Sequence, residues 1–186
     1  MTVDEIFSNI NAHMIEGLMV HSQMSDYYNF LGLEGYHKCH EYHFFKECEA
    51  FRKINDYYFK HFNKIIMEMP TNNPNVIPAD WYKYNRQQVD AATRKNAIAN
   101  AANKWVTWEK DTKIMYEKMY QELMMQSLVS AATFVKELIK DVDEEHAIAC
   151  QKHLELKSID YNISDIMMEQ KEIKHKYNKK IKNMFK

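Results

Sequence analysis

A carboxylate and an imidazole share one helical face in the segment DVDEEHAIACQKHLE, residues 141–155. Asp143 and His146 are three positions apart, so on a helix both side chains leave from the same side. Val142 and Cys150 continue that side as an apolar stripe, which predicts that it is buried. A buried charge without a partner is costly. We therefore expect the pair to bind a metal ion or, alternatively, to form a buried hydrogen-bonded pair.

Carboxylates at matching heights on other predicted helices indicate the same chemistry. Glu16 and Glu47 are nearly equidistant from a tight turn at Gly32, and each lies near the middle of its helix. Glu47 falls on an apolar stripe, whereas Glu16 lies on the flank of one. If the two helices fold back at that turn, both acids reach one level of a bundle.

Glu109 extends the pattern to a third helix. It lies about as far before a second turn, near Leu128, as Asp143 and His146 lie beyond it. Carboxylates brought this close repel one another and lose hydration, so a cation is needed to compensate them. Iron or manganese accepts a mixed shell of carboxylates and imidazole. The sequence therefore predicts a metal site in the middle of a helical bundle.

The composition favours long helices in an intracellular protein. The chain has 186 residues, 46% of them hydrophobic, with only 3 Gly and with all 3 Pro between positions 70 and 78. A net charge of −1 gives no global basic field for nucleic acid. Three cysteines without a CxxC pair indicate reduced thiols, and hence the cytoplasm or the inside of a virion or particle. No segment is long and apolar enough to span a membrane, and the N-terminus is unlike a signal peptide.

Apolar periodicity predicts five helices, at about residues 3–30, 36–68, 87–126, 129–158 and 162–186. The core positions predicted for the fourth helix are Ala132, Val135, Ile139, Val142, His146, Cys150 and Leu154. Short connections make two antiparallel hairpins, which a Pro-rich crossover at residues 70–86 must join. The prediction is an all-α, antiparallel four-helix bundle with one long crossover over residues 1–160, followed by a C-terminal amphipathic helix at 161–186.

At the acidic positions the sequence resembles the ferritin superfamily. The segment LIKDVDEEHAIACQKHLELKSID is similar to the fourth helix of bacterioferritins, WEKDTKIMYEKMYQEL to the ferritin third helix, and MIEGLMVHSQMSDYYNF to the first helix. The stretch YNFLGLEGYHKCHEYHFF is also similar to one in the Dps-type miniferritins. The resemblance implies a ferritin-like bundle with iron or manganese ligands at Glu16, Glu47, Glu109, Asp143 and His146. Glu47 and Asp143 would bridge two ions.

Two departures from the family pattern imply a degenerate di-iron site. The family carries a histidine three residues after the second-helix glutamate, and this chain has Ala50 there. The histidine that the Dps-type miniferritins carry in the matching stretch falls on Tyr27 here. Asp143, in turn, stands where bacterioferritins have a bridging glutamate. His43, one turn before Glu47 on the same face, is an alternative source of the missing imidazole.

Other polar residues on these helices have simpler interpretations. Glu144 and Glu145 are expected on a solvated face. His37, His40 and His43 are spaced like a metal cluster, but alternate positions of that run are expected to point outward, with His37 at the surface.

The tail KEIKHKYNKKIKNMFK holds seven lysines against one glutamate. Its apolar edge, which includes Ile173 and Tyr177, predicts docking on the bundle or on a neighbour. Weak DNA contact by phosphate neutralisation, as the miniferritin resemblance implies, is the alternative.

Three functions are compatible with this pattern. The first is a ferritin-like protein that binds iron or manganese and oxidises, stores or detoxifies iron, as a ferroxidase in a homo-oligomeric shell. The second is a metal-free bundle that serves as a structural or interaction subunit of a virion or bacterial particle, which Ala50 and Asp143 favour. The third is an oxygen-activating di-iron enzyme with an organic substrate.

Overall fold

A computed structural model describes residues 1–66, 76 and 89–186. Five helices account for most of them: α1 (Val3–Leu31), α2 (Glu34–Phe62), α3 (Ala91–Met125), α4 (Val129–Ser158) and α5 (Ile163–Met184). The predicted crossover at 70–86 lies outside the described residues except for Val76. The second helix ends at Phe62 and is therefore shorter than predicted. Asn63, the residue that follows, terminates it by adopting a left-handed conformation with φ 52°.

Local sequence fixes where several helices begin and how α1 turns into α2. Thr2 and Glu5 form a reciprocal capping box at the start of α1. Asp90 caps α3 by accepting a hydrogen bond from the Thr93 N–H. Gly32 ends α1 with φ 84°, a backbone conformation that glycine adopts without steric penalty. The chain therefore reverses within two residues and starts α2.

The helices pack as two antiparallel pairs. α1 runs along α2, and α3 runs along α4. One hydrophobic cluster, around Met24 and Trp105, lies toward the α1–α2 turn. A second cluster, around Ile10, Tyr116 and Val135, fills the other end of the bundle. Buried polar side chains from all four helices lie between the two clusters, which confirms the predicted four-helix bundle and gives it a polar middle layer.

α5 docks on α2, as its apolar edge predicted. Ile166, Ile173 and Tyr177 are buried in this contact. Gln170 Oε1 accepts a hydrogen bond from the Gly35 N–H at 2.7 Å, so α5 supplies the cap that the first turn of α2 lacks in its own sequence. DNA contact by the lysine-rich tail stays a prediction.

The predicted core face of α4 is wrong beyond Val142. Leu154 is 63% exposed, and the buried positions that follow Val142 are Glu145, Ala149 and Leu156. Asp143 and His146 therefore do not lie on the core face, and Glu145, expected in solvent, is 6% exposed.

Among the residues that the structure describes, no helix has the length and apolar character needed to cross a membrane. Cys39, Cys48 and Cys150 are all free thiols.

Candidate metal centre in the middle of the bundle

Glu47 lies at the centre of the polar layer, directly beneath α1. Its carboxylate is so close to the helix that a Cβ atom at Gly17 would lie 3.2 Å from Glu47 Cδ. Because Gly17 has no side chain, the Glu47 carboxylate can pack directly against the backbone of α1. Burial raises the pKa of Glu47 well above its usual value, and the neighbouring Glu145 and Glu109 raise it further. The ionised form of Glu47 is therefore unfavourable in this layer.

Glu109 is held by two nitrogen atoms. Trp105 donates a hydrogen bond from Nε1 to Glu109 Oε1 at 2.9 Å, one helical turn away on α3. His21 of α1 faces the same oxygen, with Nε2 3.5 Å away. Both Glu109 and His21 are almost completely buried, so little water is available to solvate the carboxylate. The Trp105 hydrogen bond therefore orients the Glu109 carboxylate, and its Oε1 atom faces His21 of α1.

Glu145 reaches the layer from α4 and meets two cationic groups of α2. Lys46 Nζ lies 2.8 Å from Glu145 Oε1, and His43 Nδ1 lies 3.6 Å from the same oxygen. Burial alone would raise the pKa of Glu145, but His43 and Lys46 lower it below its usual value. Burial also opposes protonation of His43, yet Cys39 and Glu145 beside it raise the pKa of this histidine. Glu145 is therefore ionised and balanced by α2.

Three buried histidines complete the layer on its α5 side. His21 and His40 approach to 3.2 Å between their Nδ1 atoms, and the rings of His21 and His43 are 5.3 Å apart. Burial, and then the neighbouring histidines, lower the pKa of His40 well below its ordinary value, so it is neutral. If His40 Nδ1 carries the shared proton, His21 presents its Nε2–H to Glu109. Within the described residues, His21 Nε2, His40 Nε2 and both ring nitrogens of His43 have no hydrogen bond of ordinary length.

The structure brings together three of the residues that the sequence singled out. Glu47, Glu109 and His43 share the polar layer. Glu16 is buried on the same turn as Gly17, with its carboxylate 3.6 Å from His13 Nδ1.

The structure separates the remaining pair from this layer. Asp143 is half exposed and pairs with Lys113 of α3 at 2.6 Å. His146 is only partly buried and contacts Cys150, with its Nε2 3.4 Å from the sulfur. The expectation that both belong to a buried stripe is therefore wrong, because α4 turns Glu145 inward instead.

Sequence reasoning missed His21, placed Glu145 on a solvated face, and noted the spacing of His40 with His43 without assigning His40 to the site. His21 continues a spacing of three and four residues with Gly17 and Met24, so its burial could have been read from α1. Glu145 lies on a second stripe with Leu138, Val142 and Ala149, but α4 carries two such stripes and the contacts of Glu145 with Lys46 and His43 come from another helix.

The donor types fit a transition-metal ion, but their present spacing does not. In the part of the chain that the structure describes, no three His, Cys, Asp or Glu side chains come close enough to hold one ion. Carboxylate and imidazole groups nevertheless surround the buried Glu47 carboxyl group: Glu145 and Glu109 raise its pKa, and His43 and Lys46 partly offset this. Binding therefore requires these side chains to close in by rotamer changes.

Comparisons by sequence match nothing: no protein-family profile and no curated protein matches the chain. Solved structures do match in fold. An engineered closed form of Archaeoglobus fulgidus ferritin has a TM-score of 0.76 at 14% identity, over 94% of this chain and 96% of its own. A humanized archaeal ferritin has a TM-score of 0.77 at 14% identity, covering 92% and 94% of the two chains. The open-pore Archaeoglobus fulgidus ferritin has a TM-score of 0.75 at 14% identity, covering 91% and 93%.

These likenesses extend over nearly the whole chain. The protein therefore has the ferritin-like fold, a four-helix bundle with a further C-terminal helix. At 14% identity the likeness concerns the fold alone.

Proposed function

We propose that this protein binds iron, or manganese, in the polar middle layer of its bundle, for iron oxidation, storage or detoxification. Glu47 carries the proposal. It is a buried carboxyl group whose pKa is raised by burial and by the nearby carboxylates of Glu145 and Glu109, and His43 lies close enough to oppose that rise. A divalent cation relieves this repulsion and accepts both donor types.

The residues that would hold the ion are Glu47, Glu109 and Glu145, with His43 as the nitrogen donor once it has lost its proton. This set replaces Asp143 and His146 on α4 with Glu145. Iron would be the cargo and, if it is oxidised by oxygen or peroxide, the substrate. The protein's own contribution would be to bind Fe(II), to keep the carboxylates in place through Trp105 and His21, and to exclude bulk water.

A homo-oligomer belongs to the same proposal, because stored iron needs an enclosed space. Gel filtration with light scattering measures this directly. A monomer that still binds iron would restrict the protein to binding or detoxification.

The metal proposal is tested by the metal content of protein purified without chelator, combined with thermal unfolding. Stoichiometric iron or manganese, with a midpoint that falls when chelator is added, supports it. Absence of metal, an unchanged midpoint in chelator and no response to added Fe(II) would reject it.

The alternative is a metal-free bundle that acts as a structural subunit of a larger assembly. One observation favours it specifically: Lys46 already neutralises Glu145 through a direct ion pair. A lysine in this position can take over the stabilising role of a cation without any chemistry. The two functions differ in which cation neutralises Glu145: a bound metal ion in the first, and Lys46 alone in the second.

A further inference from the structure

A groove runs along the solvent-facing side of the α1–α2 hairpin. It consists of two adjoining hollows, with volumes of about 310 Å³ and 210 Å³, and Ser22 and Phe44 line both of them. The walls of the larger hollow also include Leu18 and Met19, and those of the smaller one include Asp26. The groove is therefore apolar in one part and acidic in the other.

The apolar walls of this groove lie outside the hydrophobic core. Four of their side chains are only partly buried, and none of the four packs against either hydrophobic cluster of the described residues: Leu18, Met19, Phe44 and Phe45. Phe45 contacts Phe185 of α5, but that residue is itself 69% exposed. A contiguous apolar patch on a protein surface marks an interaction site, whereas scattered apolar residues do not. The groove therefore has the character of a surface that another molecule covers.

Opposite charges lie at the two ends of this face. Asp26 is toward the α1–α2 turn, whereas Arg52 is toward the other end of α2, about two helical turns beyond Phe44. Both residues are exposed, and neither forms an ion pair with a described side chain. Arg52 acts electrostatically on the thiol of Cys48, one turn before it on the same side of α2. The face thus carries an acid and a base that are too far apart along the hairpin to pair within one chain.

The positions of these charges suit a two-fold contact between two copies of the chain. Asp26 lies 6 residues before Gly32, and Arg52 lies 20 residues after it. Because both helices rise equally from the turn, the height halfway between the two charges is 13 residues from Gly32, which is the height of Met19 and Phe45. A two-fold axis at that height, perpendicular to the helices and in the plane of the face, reverses the direction of the second hairpin. It brings each Asp26 level with Arg52 of the other copy, and it brings the apolar walls of the two grooves together.

The face is large enough for a stable dimer. α1 and α2 each have 29 residues, so each is about 44 Å long and about 10 Å wide. Side by side they present roughly 850 Å² to a partner, and stable, specific interfaces bury about 800 Å² on each partner. A second copy also supplies the acid and the base in equal number, which a self-complementary interface requires.

We propose that two copies of the chain pack groove to groove through this α1–α2 face, with Asp26 of each copy paired with Arg52 of the other. The inference rests on the homo-oligomer in the proposed function, and it requires no bound metal. Glu41, the second acid of the groove, contributes little charge to the contact, because Lys38 already pairs with it at 2.6 Å.

Charge reversal tests this contact by sedimentation equilibrium of the wild type, Asp26→Arg, Arg52→Asp and the double variant. The wild type should be a dimer or an assembly built from dimers. Each single variant places like charges opposite each other at both symmetric positions, so its dimerisation should be weakened at least about tenfold. The double variant restores the pair with its charges exchanged, and it should therefore dimerise nearly as tightly as the wild type.

Lys53→Asp is the matched control, because it makes the same change of charge at the residue next to Arg52. Lys53 lies on another side of α2, where it lines a cavity with Glu145 and pairs with Glu49 at 3.5 Å. Its substitution should leave the dimerisation constant unchanged. Far-UV circular dichroism should show the same helix content in every variant, since all the substituted residues are exposed.

The outcomes also separate this contact from the proposed function. A monomeric wild type overturns the contact, and metal binding by that monomer would leave the proposed function intact for binding or detoxification. An oligomeric wild type that neither single variant weakens has its interface elsewhere, which also overturns the contact. Weakening by both single variants without recovery in the double variant overturns the pairing of Asp26 with Arg52. Dimers that respond as expected, in a protein that binds no Fe(II) or Mn(II), support the contact while the proposed function fails.

Discussion

Gly17→Ala adds one methyl group where α1 crosses the Glu47 carboxylate. The new Cβ would lie 3.2 Å from Glu47 Cδ and 3.4 Å from Oε1, just inside ordinary van der Waals contact. Glu47 must therefore retreat from α1 by a few tenths of an ångström. The contacted group is the end of a flexible side chain, so this adjustment is possible without moving a helix.

Two opposing terms set the effect of this change on stability. Alanine in a helix interior is favoured over glycine by roughly 0.5–1 kcal/mol. Pushing a buried side chain away from its rotamer minimum costs roughly 0.5–1.5 kcal/mol. Because these terms nearly cancel, the free energy of unfolding of metal-free Gly17→Ala should differ from that of the wild type by less than about 1 kcal/mol.

Gly35→Ala provides the matched comparison at the other buried helical glycine. Its Cβ would lie 2.8 Å from the Gln170 backbone oxygen and 2.9 Å from Ile173 Cβ. The contacted atoms include the α5 backbone, which can yield only if the helix shifts. Overpacking of this kind costs about 1–3 kcal/mol or more, and the Gln170 cap on α2 is weakened as well.

Urea unfolding, followed by far-UV circular dichroism, measures both variants. We expect Gly35→Ala to be less stable than Gly17→Ala by at least about 2 kcal/mol. Metal affinity should show the reverse order: Gly17→Ala displaces Glu47 and weakens Mn(II) binding, while Gly35→Ala leaves it unchanged. Equal destabilisation by the two variants would refute the packing argument, and unaltered Mn(II) affinity in Gly17→Ala would refute the role given to Glu47.

Two further predictions concern residues outside the metal centre. Burial lowers the pKa of His13 from 6.5 to about 4, so between these pH values the unfolded chain binds more protons and stability falls as the pH falls. At about 1.4 kcal/mol for each tenfold difference in proton affinity, the loss in the free energy of unfolding approaches about 3 kcal/mol near pH 4. Urea unfolding at about pH 7 and about pH 4.5 measures this loss, and His13→Gln should lose less free energy of unfolding between the two pH values than the wild type. Equal losses in the two proteins would contradict the prediction. Gln170→Ala removes the acceptor for the Gly35 N–H and should lower the free energy of unfolding by about 0.5–2 kcal/mol, whereas an unchanged urea midpoint would show that the cap contributes nothing.

The sequence is most informative where one helical face carries most of the large apolar residues. In α3 the stripe that contains Ala102, Trp105, Glu109 and Tyr116 is buried throughout. No competing stripe exists on that helix, because its other faces are rich in lysine, glutamate and aspartate. The burial of Glu109 could therefore be predicted from its neighbours alone.

In α4 two stripes compete, and the sequence does not choose between them. Both share Val135 and Val142; one continues through His146, and the other through Glu145. Hydropathy favours the imidazole over the carboxylate. The structure selects Glu145 because Lys46, on a helix nearly a hundred residues earlier in the chain, neutralises it. A pairing of this kind is tertiary and leaves no periodic signal in α4.

The histidines show a different limit. His40 and His43 both pack against Trp105 inside the bundle, and Tyr177 of α5 lies beside His43. The expectation that alternate positions of this run point outward did not anticipate these contacts, because they come from α3 and α5. Only His37 stays near the surface, where it contacts Ser25 with 2.8 Å between Nδ1 and Oγ.

The most direct test of the metal centre is anaerobic titration of the chelator-free protein with Fe(II), in the wild type, Glu47→Gln and Asp143→Asn. Glu47→Gln keeps the shape of a central donor and removes its charge, whereas Asp143→Asn alters a half-exposed residue paired with Lys113. We expect saturable binding by the wild type and by Asp143→Asn, and none by Glu47→Gln. Loss of Fe(II) binding in Asp143→Asn with full binding in Glu47→Gln, or no binding by the wild type, would contradict the assignment.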